Sequence, residues 1–363
     1  MDFDLSEDQR ALQDAAARFL DEQCPTTRVR AAMASDEAYD RDLWLAMIDL
    51  GWPAMAVPED LGGLGLGTVE LAVLLEQTGA HVAPTPFLQE VLVLDALVGA
   101  AARGVEDAGW VDPVLQGDTV AAVAWQPLHA ERDGARWLLS GRTGPALYAP
   151  TADVLVVPGR EADGTEHLFA VNTTSRSIAA EPAMDQTRRL GWVDLEPTAS
   201  LHLGGPEAAE AFLDLGALGH AAELLGAAAR VLDLSVEYAK ERVQFGRPIG
   251  SFQAVKHRCA DMLVDVEGMR SAVYYAAWCV GAGDRDRSIA ASTAKTWCSD
   301  AGRRVMASAL QVHGGIGFTW EHDLHLFLKR AQLDEVTFGD ATFHRARLGR
   351  LLRERVERGE SVI

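Results

Sequence analysis

The chain has 363 residues, 48% hydrophobic and 24% charged, which is enough for two or three packed domains and excludes a disordered polypeptide. Its 33 Lys and Arg against 53 Asp and Glu leave a formal charge of −20, which opposes nonspecific binding to nucleic acid or to an anionic membrane. Cys24, Cys259, Cys279 and Cys298 form no C-x-x-C pair, so zinc and dithiol redox motifs are not expected and the thiols read as reduced.

The N-terminal Met1-Asp2-Phe3-Asp4 has no basic region ahead of an apolar stretch, and no apolar run reads as bilayer-spanning. A cytoplasmic protein is the expectation. Ser6-Glu7-Asp8-Gln9 is a capping-box pattern, and Leu12, Ala16, Phe19 and Leu20 follow at helical spacing. A second predicted helix carries Trp44, Met47, Ile48 and Leu50 and ends near Gly51. An irregular Gly- and Pro-punctuated segment runs from Gly51 to Gly65. A long apolar helix is predicted from Thr68 to Gly79, and another runs through Leu97.

Near Val111 the pattern changes. Asp118–Trp125, Trp137–Ser140, Val154–Val157 and His167–Val171 read as short strands separated by Gly, Pro and Asp turns. Long helices return after Gly204-Gly205-Pro206: one through Tyr238, then Phe252–Val280, Arg287–His313 and Thr342–Arg358. The predicted class is α+β, with an N-terminal helical domain (1–112), a middle antiparallel β domain (113–205) and a C-terminal four-helix bundle (206–363).

Three segments carry a family resemblance. They are the run from Tyr238 to Gln253, which contains Arg242-Val243-Gln244-Phe245-Gly246, the run Gln311-Val312-His313-Gly314-Gly315-Ile316-Gly317, and the Gly51–Gly65 segment. Together with the helix–β–helix order, they resemble the acyl-CoA dehydrogenase family over nearly the whole chain. The resemblance implies FAD as cofactor and oxidation of the Cα–Cβ bond of an acyl-CoA thioester. In such enzymes a carboxylate takes the α-proton and the flavin takes the β-hydride. It also implies FAD shared between subunits, with the flavin ring on one chain's β domain and the pyrophosphate and adenosine on a neighbour's bundle.

By that resemblance Arg242 is the pyrophosphate arginine, a role suited to a guanidinium's paired donors. Phe245 would pack near adenine, Gln244 and Gln253 would supply polar contacts, and Gln311, Gly314 and Gly315 would line the remainder. The alternative reading pairs Arg242 with a helix carboxylate and makes the Gly pair a simple helix break. Neither Gly-rich segment satisfies G-x-G-x-x-G, so a dinucleotide fold is not supported.

The other half of the family pattern is missing. Ala124–Gly134 lacks the family's Gly-Ser-Asp flavin turn and reads as a shortened loop, and Pro145-Ala146-Leu147 stands where a Trp-Ile-Thr stacking segment is expected. The two positions at which family members place their Glu base hold Phe338 and Gly216, so no catalytic residue is assigned. Asp340 reads as a solvated loop carboxylate, His313 as a packed helix-end histidine, and Arg303 and Arg304 as surface or interface charges. The pattern resembles the base-lacking subunit of actinobacterial α2β2 acyl-CoA dehydrogenases, some of which act on CoA esters of steroid side chains. It implies a related catalytic subunit as partner, an acyl-CoA substrate and an electron-transfer acceptor. The alternatives are a self-sufficient homotetramer with a relocated base, and a flavin-free structural protein of the same fold.

Overall fold

The computed structural model describes residues 4–35, 39–106 and 108–361; the Met1–Phe3 stretch used in the leader argument lies outside them. Helices α1 (Glu7–Gln23), α2 (Thr26–Ala34), α3 (Arg41–Asp49), α4 (Thr68–Ala80), α5 (Phe87–Ala102) and the short α6 (Val111–Leu115) come first. Strands β1 (Ala121–Val123), β2 (Leu128–Asp133), β3 (Arg136–Arg142), β4 (Ala146–Leu147) and β5 (Val154–Arg160) follow, then β6 (Glu166–Asn172), β7 (Ala180–Glu181), β8 (Leu190–Gly191) and β9 (Asp194–Gly204). Next come α7 (Pro206–Glu241) and a hairpin of β10 (Val243–Gln244) and β11 (Arg247–Pro248). The chain ends with α8 (Gln253–Gly281), α9 (Arg287–His313), α10 (Leu324–Val336) and α11 (Ala341–Glu357).

The capping box is formed as read. Ser6 Oγ accepts from the Gln9 N–H at 3.1 Å and the Gln9 side chain accepts from the Ser6 N–H at 2.9 Å. The first predicted strand is shorter than expected, because the N–H groups of Asp118 and Thr119 both turn back to Pro113 O at 2.9 and 3.1 Å. Two compact units interleave along the chain: Arg28–Gly67 with Pro84–Gly216, and Met1–Thr27 and Thr68–Ala83 with Ala217–Ile363.

The first unit holds a nine-stranded sheet of order β2-β3-β9-β6-β5-β1-β4-β8-β7. It corrects the purely antiparallel expectation: β5 pairs parallel with both β1 and β2. The reason is connectivity, since β1 runs into the sheet beside β5 with the β2–β3 hairpin and β4 intervening in sequence, and a non-adjacent strand is free to run parallel. The inward residues Leu128, Trp137, Leu139, Leu155, Val157 and Phe169 belong to one buried cluster. On α5, Glu90 is fully buried and accepts the Ala121 N–H at 2.9 Å, and burial pushes its carboxyl up to about 8.

The second unit is helical. Arg304 of α9 binds Asp265 of α8 at 2.5 Å, and Arg258 lies 3.5 Å from Ser308, so the two helices run antiparallel. Backbones of α4 and α7 touch where both carry glycine. A Cβ on Gly226 would fall 1.8 Å from Glu76 O, and one on Gly79 would fall 2.0 Å from Glu223 O. Five helices follow the sheet instead of the expected four. The addition is α10, whose start has no side-chain cap to announce it. By length and composition the 36-residue α7 could cross a bilayer, which corrects the expectation of no such run; 89% of its most apolar window is buried inside the protein, as in a core helix.

Candidate functional site

Helix ends bring the predicted cofactor residues to one end of the helical unit. Tyr238 on the last turns of α7 stacks on His313 at the end of α9, with ring centroids 4.7 Å apart. The β10–β11 hairpin therefore leaves α7 beside the place where the 3₁₀ turn Gly314–Phe318 leaves α9. Arg242 joins α7 to the hairpin, and its main chain is fixed by Arg242 N–H to Tyr238 O at 2.9 Å and Ile249 N–H to Arg242 O at 2.7 Å. Gln244 lies on β10 with its amide donating to Val243 O at 2.9 Å. Gln253 opens α8 and Gln311 closes α9, both exposed.

Phe245 is 92% exposed and sits in the left-handed region at φ +54°. Its ring meets Phe252 edge-on at 6.1 Å, while the Arg247 guanidinium covers the other ring at 4.2 Å. Gly314 has φ +62°, and a Cβ at Gly314 or Gly315 would meet nothing within 4 Å. Backbone is thus open to close approach there. Arg242, Arg247, Lys256 and Arg258 are all exposed on the hairpin and the first turns of α8, giving a locally basic end on a chain of net charge −20. Glu241 and Asp261 are the nearest acidic residues in sequence, and Glu237, a little further off, is engaged by Lys240 at 2.7 Å. His313 is packed as read: it is buried, its Nδ1–H donates to Ala309 O at 2.9 Å, and burial lowers its pKa.

The flavin-ring segment is spent on the fold itself. Residues 128–133, expected as a loop, are strand β2, paired to β3 from His129–Ser140 through Asp133–Arg136. Thr143 N–H bonds Val193 O at 3.0 Å, Tyr148 N–H bonds Arg189 O at 2.8 Å, and the Tyr148 hydroxyl donates to Thr85 O at 2.8 Å. Leu147 is buried between Val123 and Leu190 in the sheet. The Thr143 and Tyr148 N–H groups and the Tyr148 hydroxyl are thus used within the protein and not presented to a ligand.

Position 338 is closed. Phe338 has φ +56° and no exposure, and its ring lies against His220 with centroids 5.7 Å apart. The His220 Nδ1 is 3.0 Å from Asp334 and 3.8 Å from Glu223, all three buried. Ligand-type atoms of this trio lie within 4.8 Å of one another. One imidazole nitrogen facing two carboxylates accounts for the group. Lys295 Nζ donates to Asp334 O, Glu335 O and Gly339 O at 2.8, 2.7 and 2.9 Å, and the His344 Nε2–H donates to Phe338 O at 2.8 Å. Burial lowers Lys295 to about 8 and His344 to about 4.

Asp340 is a partly exposed carboxylate in the link before α11, as read, and it has a local task. It caps α11 by accepting the Phe343 N–H at 2.8 Å. Arg303 and Arg304 are committed to Glu335 and Asp265 within the chain. The cluster around His220, Lys295 and His344 was not anticipated from the sequence. Its one signal was a lysine set among Ala290, Ala291 and Ala294 on an otherwise small, apolar helix face.

Helices before and after a single β region give the architecture of the acyl-CoA dehydrogenase fold. The chain belongs to the acyl-CoA dehydrogenase family: residues 6–102 match its N-terminal domain and residues 204–352 its C-terminal domain. It is 35% identical to acyl-CoA dehydrogenase IpdE2 of Mycolicibacterium smegmatis over 328 residues, covering 90% of this chain and 93% of that one. Its fold matches a chain of the ChsE4-ChsE5 complex from Mycobacterium tuberculosis with a TM-score of 0.89 and 33% identity, covering 98% and 99%. A chain of the Tcur3481-Tcur3483 steroid acyl-CoA dehydrogenase matches with a TM-score of 0.89 and 30% identity, covering 97% and 99%. The family's enzymes are FAD-dependent oxidoreductases acting on CH–CH bonds, and the chain is a member of this class.

Proposed function

We propose that this chain is the non-catalytic subunit of a heteromeric, cytoplasmic acyl-CoA dehydrogenase. It completes the FAD site of a related subunit in an α2β2 assembly acting on a CoA ester from steroid breakdown. The observation that carries the reading is the contrast between the two half-sites. The Arg242–Gln311 end is open, basic and unobstructed, whereas the base position is a buried phenyl ring. In the assembly, Arg242 binds pyrophosphate oxygens through charge-assisted hydrogen bonds. Phe245 covers the adenine, and the Gly314–Gly315 backbone lies against the adenosine side. Bound flavin supplies a hydride acceptor, and its ring rests on the partner. The partner's carboxylate removes the α-proton, and a separate electron carrier reoxidises the complex. Support for heteromeric assembly and a steroid-derived substrate comes from the two structural relatives, which are a two-protein complex and a steroid enzyme.

The test is co-purification with a related dehydrogenase chain, with flavin absorbance read against protein mass. FAD and turnover only in the pair support the reading; turnover by the lone chain refutes it. Within the pair, Arg242→Ala removes hydrogen bonds to a charged group worth about 1.5–3 kcal/mol, so FAD should bind roughly 10- to 100-fold more weakly. Unchanged FAD retention counts against the clamp.

A further inference from the structure

We infer that the His220–Asp334–Glu223 cluster and Phe338 form a plug that closes this chain's own base site, so that in the assembly no acyl-CoA enters at residue 338. The inference rests on the partner role proposed above, and adds to it a reason why each pair of chains offers one acyl site.

A general base must come within about 3 Å of the proton it removes, so a working site at this position needs an acyl-sized void against the residue 338 side chain. Here that side chain has no exposure, and the imidazole of His220 occupies its face at 5.7 Å between ring centroids. His220 cannot step aside freely, because its Nδ1 is held 3.0 Å from Asp334, with Glu223 3.8 Å from the same nitrogen. An acyl chain entering there would have to separate a buried imidazole from its carboxylate and offer nothing polar in return.

The loop carrying Phe338 is held just as firmly. Lys295 binds the carbonyls of Asp334, Glu335 and Gly339, and His344 binds the carbonyl of Phe338 itself. Phe338 therefore keeps a left-handed backbone, with its ring turned inward. His220 also lies four residues along α7 from Gly216, one helical turn from the family's other base position. The plug makes a second, sharper statement. A glutamate restored at 338 would join Asp334 and Glu223 in a buried site beside His220, with the Lys295 ammonium already held by three carbonyls, and there like charge and burial both favour the protonated carboxyl. It would not act as a base.

Labelling tests the closure directly. The pair is prepared with Cys259→Ser, since Cys259 is the one cysteine that is not buried, together with Phe338→Cys. The thiol at 338 should react with N-ethylmaleimide at least about 100-fold more slowly in the native pair than in denaturant, as for a group reached only by local opening. Reaction at the denatured rate overturns the plug. Phe338→Glu should leave turnover per flavin and the pH–rate profile of the pair unchanged; a new titrating limb or added turnover also overturns it. Should neither variant assemble, hydrogen exchange on the wild-type pair decides. Amides of 337–340 exchanging as slowly as the α9 core support closure, and loop-like exchange refutes it. Turnover by the lone chain would instead remove the partner role, so the two failures are distinct.

Discussion

Lys295→Met removes the ammonium shared by three carbonyls while keeping a side chain of similar length. The lost contacts are 2.8, 2.7 and 2.9 Å long, and Lys295 has no exposure, so water does not replace them without local opening. A buried carbonyl left without its donor costs roughly 1–3 kcal/mol. Relief from burying a charge offsets part of the total, leaving a net loss of about 3–5 kcal/mol, the size expected when one member of a buried polar set is deleted. At about 2–4 °C per kcal/mol, the melting temperature should fall by about 6–20 °C. The pH dependence gives an independent check. Burial lowers the folded-state pKa of Lys295 from 10.5 to about 8. Between these values the unfolded chain holds a proton that the folded chain has released, so this residue's contribution to wild-type stability rises with pH across the window. Methionine binds no proton, so the gap between wild type and variant should widen through that window by up to about 3 kcal/mol. Thermal unfolding followed by circular dichroism, at neutral pH and across the window, measures both. A loss below about 2 °C, or a gap that narrows as pH rises, refutes the three-carbonyl account.

His344 and Glu90 titrate in opposite senses. Burial holds His344 down to about 4 from 6.5, so the unfolded chain binds a proton in that interval that the folded one refuses, and stability is lost as pH falls through it. His344→Gln keeps a donor for Phe338 O and cannot titrate; its melting temperature should fall less steeply on the acid side, and an equal slope speaks against the assignment. Glu90, pushed up to about 8 from 4.5, makes the folded chain bind the extra proton, so stability falls as pH rises from 4.5 to 8. Glu90→Gln retains the acceptor for Ala121 N–H without the charge, and should raise stability by about 1–3 kcal/mol at and above the upper end of that window. No gain there would place ionised Glu90 in a better-solvated setting than its burial implies.

Legibility followed how local each signal was. The capping box at Ser6, the apolar helix at Thr68 and the switch from β9 to α7 near Gly204–Pro206 were readable, because each rests on neighbours a few residues apart. Strand β2 is hidden in the sequence, because the family turn is missing there and the only strand signal is Leu128 and Ala130, which alternate inward. The short α2 and the uncapped α10 offered little periodicity to read. The plug was invisible for a different reason. His220 and Asp334 are 114 residues apart, and Lys295 reaches carbonyls 39, 40 and 44 residues away, so no window of sequence contains the arrangement. Gly216 and Phe338 could be read as absences of a base, but sequence does not say whether an absent base leaves an open chamber or a filled one.

Two phenylalanines in left-handed backbone bear on the alternative of a flavin-free relic. Among the described residues, non-glycine positions with positive φ are Val82, Tyr148, Phe245 and Phe338. Three of the four fall on segments that the family resemblance assigns to cofactor or base. A positive φ on an aromatic residue costs on the order of 1–3 kcal/mol and persists where its surroundings over-determine it. For Phe338 those surroundings are inside the chain: His220, His344 and Lys295 hold the loop and fill its front. For Phe245 they are not, since 92% of the residue faces outward and its internal ring contact is a single edge-on approach to Phe252. Exposing a phenyl ring in a strained conformation carries both an apolar and a backbone cost, and each is relieved when a flat ligand or a second chain covers the ring. A fold kept only as scaffold has no use for that outward strain. A chain that shares an FAD site with a second chain does, which is why the outward Phe245, more than the inward Phe338, weighs against the flavin-free alternative.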